Sequence, residues 1–339
     1  METSTTLKRK SARSRPWWRN ALRWAIGLGA TALSCWLLAR DVDWQRMAQA
    51  LRVVNYGWIA VGLLAIVSTF FTRARRWQAL LWQSHVGLRP TITALLTGQI
   101  VNTILPMRSG DVVRAAWISP ESESGTMAAL GSIAIEKMWD LVALLACGLL
   151  LLIWMPLPDW FARSTCGTAL TQLLAGGTLW AILRWQALLF RLAGRVLAYL
   201  PAGWDEALLP RLQRLADGLE TIRQPESAAK AAAWTALTWA VGGMANLAVL
   251  VAFGIRSPIA ALFLLAALML GSAVPTPGKL GIFEGICVVV LGSFFDVPFH
   301  QALAVGLVLH VVVIGPPLAA TALLTLWPRA HRRRQHDAA

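Results

Sequence analysis

The apolar positions of this chain gather into long runs separated by short polar stretches, instead of recurring once per helical turn. Six runs fall in or near the range of about 17 to 25 residues that a helix needs to cross a bilayer. They are 21–39, 56–72, 127–155, 168–187, 231–253 and 300–327. Two further runs are interrupted. The first, 91–117, is cut at Leu105-Pro106-Met107-Arg108-Ser109-Gly110-Asp111, and the second, 258–295, at Val274-Pro275-Thr276-Pro277-Gly278-Lys279-Leu280-Gly281. Proline removes a helix donor and glycine frees the backbone, so each break is expected to end one helix and start another. The pattern predicts an all-α polytopic membrane protein with six full crossings and two broken, re-entrant helical hairpins.

The breaks at Pro106 and Pro275 lie 169 residues apart, half the chain. That offset carries 56–72 onto 225–241 and residue 127 onto 296. The first crossing maps only if a charged stretch within 203–223 is an insertion. Each half, about 20–160 and 165–330, then holds three crossings and one broken segment. An odd number of crossings turns the halves over relative to each other, which predicts an inverted repeat. Paired interrupted segments at corresponding positions point to a transport site. The competing account is that two Pro/Gly breaks coincide by chance. The insertion places Leu208, Leu209, Leu212, Leu215 and Leu219 at helical spacing opposite Arg211, Arg214, Asp217 and Glu220. It predicts an amphipathic cytoplasmic helix with Pro210 in its first turn, where a missing N–H costs little; a plain connector fits equally.

Composition agrees with the bilayer assignment: 57% of residues are hydrophobic and 14% charged, with a mean hydropathy of +0.57. Soluble domains carry about a quarter charged residues. The formal charge of +14 does not signal nucleic acid, because the basic residues sit in short loops beside apolar runs. With a cytoplasmic N-terminus, inside pieces hold 21 Lys and Arg and outside loops 5, as the positive-inside rule requires. Both termini, the basic tails 1–19 and 331–339, are then cytoplasmic, flanking one transmembrane domain over 20–330. Trp17, Trp18, Trp44, Trp82, Trp154, Trp160 and Trp327 stand near segment ends, where indoles favour the headgroup layer. Residues 21–39 read as a retained helix, since no small-residue cleavage site follows. Cys35, Cys147, Cys166 and Cys287 and the five histidines show no metal-ligand or redox spacing, so no metal or cofactor is expected.

Ionisable groups at membrane depth are costly and therefore candidates for function. Around the first break these are Asn102, Arg108, Asp111 and Arg114. The new half-helix presents free N–H groups to an anion, and the two arginines can grip a phosphate. Asp111 either caps that half-helix or pairs with an arginine. Glu136 and Asp140, at i and i+4 with Lys137 beside them, share a face deep in the third crossing and need a cation or a proton. Arg108, Arg114 and Lys137 are the candidate cations, and a purely structural ion pair is the alternative. At the second break Pro277, Gly278 and Lys279 are followed by Glu284, set to cap the new half-helix or to face Lys279. Arg73, Arg76 and Trp77, with Arg75 adjacent, read as a cytoplasmic face that touches anionic headgroups or anchors topology.

Taken together, Arg73-Ala74-Arg75-Arg76-Trp77, Gly98…Asn102…Leu105-Pro106…Arg108…Gly110-Asp111…Arg114, Glu136-Lys137…Asp140 and Pro275-Thr276-Pro277-Gly278…Leu280-Gly281…Glu284 resemble the transmembrane region of the lysylphosphatidylglycerol synthase family, the flippase half of multiple peptide resistance factors. The resemblance spans about 20–330. Where this chain has Lys279 the family usually has a second glycine, and where it has Asp111 often a glutamate. The resemblance implies a lipid-translocating module of a bacterial-type inner membrane. The soluble aminoacyl-transferase domain of full synthases is not expected, since only Arg329–Ala339 follow Pro328. The expected substrate is an anionic phospholipid or a polyprenyl-linked lipid. The alternatives are a membrane subunit or accessory of a separate lipid-modifying transferase, and a scaffold without a substrate. Catalysis is not expected, because no metal pair, nucleotide loop or nucleophile constellation appears.

Overall fold

The computed structural model describes residues 42–81, 86–104, 109–121, 125–155, 204–272 and 277–326, with single positions between 29 and 40 and between 163 and 184. The crossings expected at 21–39 and 168–187, both tails, and Pro106, Arg108, Pro275 and Thr276 lie outside the described residues or largely so. All regular elements among the described residues are helical. A short helix α1 (Trp44–Arg52) is followed by α2 (Tyr56–Leu80), the first broken pair α3 (Leu88–Ile104) and α4 (Gly110–Ile118), and α5 (Gly125–Trp154). Then come α6 (Trp204–Glu220), α7 (Pro225–Ala252), the second broken pair α8 (Pro258–Gly271) and α9 (Ile282–Phe295), and α10 (Phe299–Leu326).

Four of these helices are long and apolar enough to cross a membrane: α2, α5, α7 and the Phe299–Thr321 part of α10. Their surface agrees with that role. Val61, Leu64, Val67 and Phe71 of α2 and Leu149, Leu150 and Ile153 of α5 are exposed, a waste of apolar area in water and the natural state in hydrocarbon. Trp44 and Trp154, two of the indoles expected at segment ends, are also exposed.

The helices begin where the chain supplies caps. Asp43 Oδ1 accepts from the Gln45 and Arg46 amides at α1, Asn55 Oδ1 from Gly57 at α2, and Ser257 Oγ from Ala260 at α8. Each satisfies amides that a helix start leaves open. α2 runs eight residues beyond the apolar stretch that predicted it, because Trp77 and Leu80 continue its inward face.

α2 and α7 form the central pair and run antiparallel. The Asn55 amide bonds Ala252 O at 3.0 Å, and further along the Thr238 hydroxyl bonds that of Thr72 at 2.8 Å. α3 and α4 fold back on each other, as do α8 and α9, whose antiparallel course brings Phe263 to 4.8 Å from Phe294, centroid to centroid. The short 3₁₀ turn Pro277–Lys279 at the second break packs against α3 of the first broken pair.

The insertion helix is longer than expected. α6 starts at Trp204, so Pro210 is its seventh residue and not in its first turn. The helix therefore begins upstream of the leucine repeat and leaves the proline inside. α6 docks on α5 through glycines: a Cβ on Gly218 would lie 2.2 Å from the Ala128 carbonyl oxygen, and one on Gly131 2.4 Å from that of Leu215. Both obstacles are backbone. Gly218→Ala is therefore expected to destabilise the protein by about 1–3 kcal/mol, read as a lowered thermal midpoint in detergent. Gly285→Ala, whose added methyl meets nothing within 4 Å, is expected to leave the midpoint unchanged or raise it.

Candidate functional site

The ionic residues converge where α2, α4 and α5 meet. Glu136 and Asp140 are the twelfth and sixteenth of the 30 residues of α5, about 17 and 23 Å from its start at 1.5 Å per residue. Arg76 of α2 lies between them. Its Nη2 donates to Glu136 Oε1 at 2.8 Å and its Nη1 to Asp140 Oδ1 at 2.6 Å. The second Glu136 oxygen accepts from Arg114 Nη1 of α4 at 3.0 Å. Arg76 and Glu136 are each 1% exposed and Arg114 is 2% exposed. Two guanidinium groups and two carboxylates thus form an electrically closed set, which is what makes burial at this depth tolerable.

The set extends outward through Asp111, whose Oδ1 sits 3.1 Å from Arg114 Nε, and Lys137, whose Nζ is 3.9 Å from Asp111 Oδ2 and 38% exposed. Asp111 pairs with an arginine and does not cap α4. The α4 start is instead held by Asn102 of α3, whose Oδ1 accepts from the Gly110 amide at 2.8 Å. One amide of the expected anion site is therefore already occupied.

Two expectations are corrected. Arg76 and Trp77 are not a headgroup-facing surface: Trp77 is fully buried, donates from its indole to Ser132 Oγ at 3.0 Å, and lies under Arg114, whose Cζ is 4.9 Å from its ring centre. Lys137 is not a direct partner of Glu136 or Asp140 in any described ion pair, since it projects toward Asp111. The physical reason is the same for both. The i, i+4 carboxylates face α2, and Lys137, one residue on from Glu136, is turned about 100° away. Arg73 is half-buried and Arg75 exposed, its guanidinium 5.2 Å from the centre of the Phe71 ring. Arg108 lies outside the described residues.

Not every hydrogen-bonding group in the cluster is used. Arg114 Nη2 is buried and makes no hydrogen bond, and neither does Arg76 Nε. Arg114 therefore holds donor capacity in reserve beside the helix break.

The second break carries a separate polar group. Gly278 and Gly281 have φ of 65° and 81°, and Lys279 a φ of 59°. A lysine held in the left-handed region costs on the order of 1–3 kcal/mol, a strain that glycine would not carry. Glu284, 4% exposed, caps α9 by accepting from the Gly281 amide at 2.7 Å, and its other oxygen meets His310 Nδ1 of α10 at 2.5 Å. Glu284 is thus engaged by a histidine absent from the candidate residues. Its signal was an ionisable group inside the apolar 300–327 run. Pro277 and Gly278 stand in the turn between α8 and α9.

No curated protein and no solved structure matches the chain. The family model described as the lysylphosphatidylglycerol synthase TM region matches residues 24–320, which takes in every described residue of the ionic cluster and of the Glu284–His310 pair. The chain is a membrane protein and belongs to the lysylphosphatidylglycerol synthase TM region family.

Proposed function

We propose that the protein translocates a lipid with an anionic headgroup, a phospholipid or polyprenyl-linked lipid, across a bacterial-type inner membrane. In this scheme residues 20–160, which include α2–α5, and 165–330, which include α7–α10, are the inverted halves of one transporter, both termini are cytoplasmic, and the broken pairs are re-entrant hairpins. The antiparallel α2/α7 pair and the 169-residue spacing of their first residues, Tyr56 and Pro225, support it. The observation that carries the proposal is Arg114: buried at the break, shared with Glu136, and with Nη2 unbonded. A phosphate arriving at that atom adds a charge-assisted bond and competes with Glu136 for the guanidinium. The two arginines then exchange carboxylate for phosphate as the headgroup passes, and Glu136 and Asp140 recapture them afterwards.

The closed charge of the four buried groups favours a second reading, an ion cluster that only pins the hairpin to α2 and α5. Liposome reconstitution separates the two. Labelled anionic lipid is expected to cross faster in vesicles holding the protein than in empty ones, and Arg114→Gln to slow crossing about tenfold or more, the rate equivalent of one charge-assisted bond. Equal crossing in protein and empty vesicles, or an Arg114→Gln variant that folds and transports at the wild-type rate, would sink the transport proposal.

A further inference from the structure

A cavity of about 440 Å³ opens between α5, α7 and α8, within the roughly 300–1,000 Å³ of sites that enclose a small ligand. Its walls are apolar almost throughout, the polar exceptions among the lining side chains being the indole N–H groups of Trp154 and Trp239 and the Cys147 thiol. Trp154, the last residue of α5, and Pro258, the first of α8, line one end. Trp239, the fifteenth of the 28 residues of α7, lines it at mid-helix. The cavity therefore runs from the helix ends toward the middle of the bundle. Trp239 does not merely close it. Its Nε1 donates to Asp140 Oδ1 at 3.4 Å, so the apolar space and the ionic cluster meet across one indole ring. Between Trp239 and Leu247 the α7 wall extends about 12 Å.

This juxtaposition identifies an occupant. A polar ligand would find few partners along the walls and would lose its hydration. A hydrocarbon chain loses nothing, and a polar head on the same molecule falls at the Trp239–Asp140 end. From the cavity's apolar walls and its junction with the cluster, we infer that it is the chain-binding site for the lipid whose head meets Arg76 and Arg114. This deepens the transport proposal and rests on it for the head; the chain site itself is testable separately. Trp239 is the positioning residue at the junction, since its ring bounds the chain and its N–H touches the acid.

Gly243 offers a clean probe. A Cβ there meets Leu265 at 3.8 Å, an ordinary contact, and nothing nearer. Gly243→Ala keeps the space open and serves as the folding control, while Gly243→Leu fills it. The experiment reconstitutes the full chain with an anionic phospholipid bearing a photoreactive group on its acyl chain, followed by peptide mapping. Saturable cross-links on the α7 and α8 walls, lost several-fold in Gly243→Leu but not in Gly243→Ala, support the site. A matching several-fold slowing of lipid crossing in Gly243→Leu supports its use in transport. Cross-links spread evenly over exposed positions such as Val61 and Leu64, and indifferent to Gly243→Leu, mean annular lipid only and overturn it. If wild-type protein moves no lipid but the saturable cross-links persist, the transport proposal fails while the chain site stands.

Discussion

Arg76→Ala is expected to destabilise the folded protein by about 3–5 kcal/mol, because it strands Glu136 and Asp140 in the interior with only Arg114 left between them. In detergent this appears as a large drop in the thermal midpoint and poor recovery of folded protein. The triple variant Arg76→Met, Glu136→Gln, Asp140→Asn removes a cation and both acids together. It leaves Arg114 beside Asp111 alone, and is expected to recover much of the lost stability. If the cluster serves only to pin helices, the triple variant should also be active in whatever assay the wild type passes. If the headgroup exchanges places with the carboxylates, the triple variant folds and moves no lipid. An Arg76→Ala protein as stable as wild type would mean that these groups do not meet as described.

The second large effect concerns the first broken pair. A Cβ on Gly110 would fall 1.9 Å from the Gly98 carbonyl oxygen and 2.7 Å from Asn102 Oδ1, so Gly110→Ala forces α3 and α4 apart and also loosens the amide that Asn102 holds. A loss of about 3 kcal/mol or more is expected. Because Arg114 rides on α4, the Arg114–Glu136 contact should open with it. The measurable outcome is a lower thermal midpoint together with new reactivity of a cysteine placed at Ala115, the buried neighbour of Arg114 on α4, protected in a matched Gly110 background. Unchanged stability and protection would show that α3 and α4 do not pack at Gly98.

The bilayer class, the four long described helices and both helix breaks were legible in the sequence because hydropathy and Pro/Gly punctuation act locally. Glu136 and Asp140 stood out for the same reason, as acids in an apolar run. Their main partner did not. Arg76 reads as the edge of a crossing when the apolar run is stopped at Phe71 and Thr72, yet Arg73, Arg76, Trp77 and Leu80 follow the i, i+3, i+4, i+7 spacing of one face. Taking Trp77 and Leu80 as core would have turned Arg76 inward. His310 carried a local mark, an ionisable group inside an apolar run, but its pairing with Glu284 depends on how α9 lies on α10, a tertiary fact. The Asn102 bond to Gly110 likewise exists only once α3 and α4 have folded back. Pro210 was misplaced because α6 begins at Trp204, upstream of the leucine repeat from which its start was read.

The order in which the helices are made follows from the closed charge set. On its own, α5 carries Glu136, Lys137 and Asp140 in its middle third, and each charge at a helix centre opposes insertion by about 2.5–3.5 kcal/mol. Such a segment is a poor candidate to leave the insertion machinery alone. Arg76 and Arg114 are both synthesised before it, so nascent α5 can partition into the bilayer as a neutral assembly with α2 and α4 already alongside. Swapping the positions of these charges between early and late helices should preserve the final balance yet delay integration.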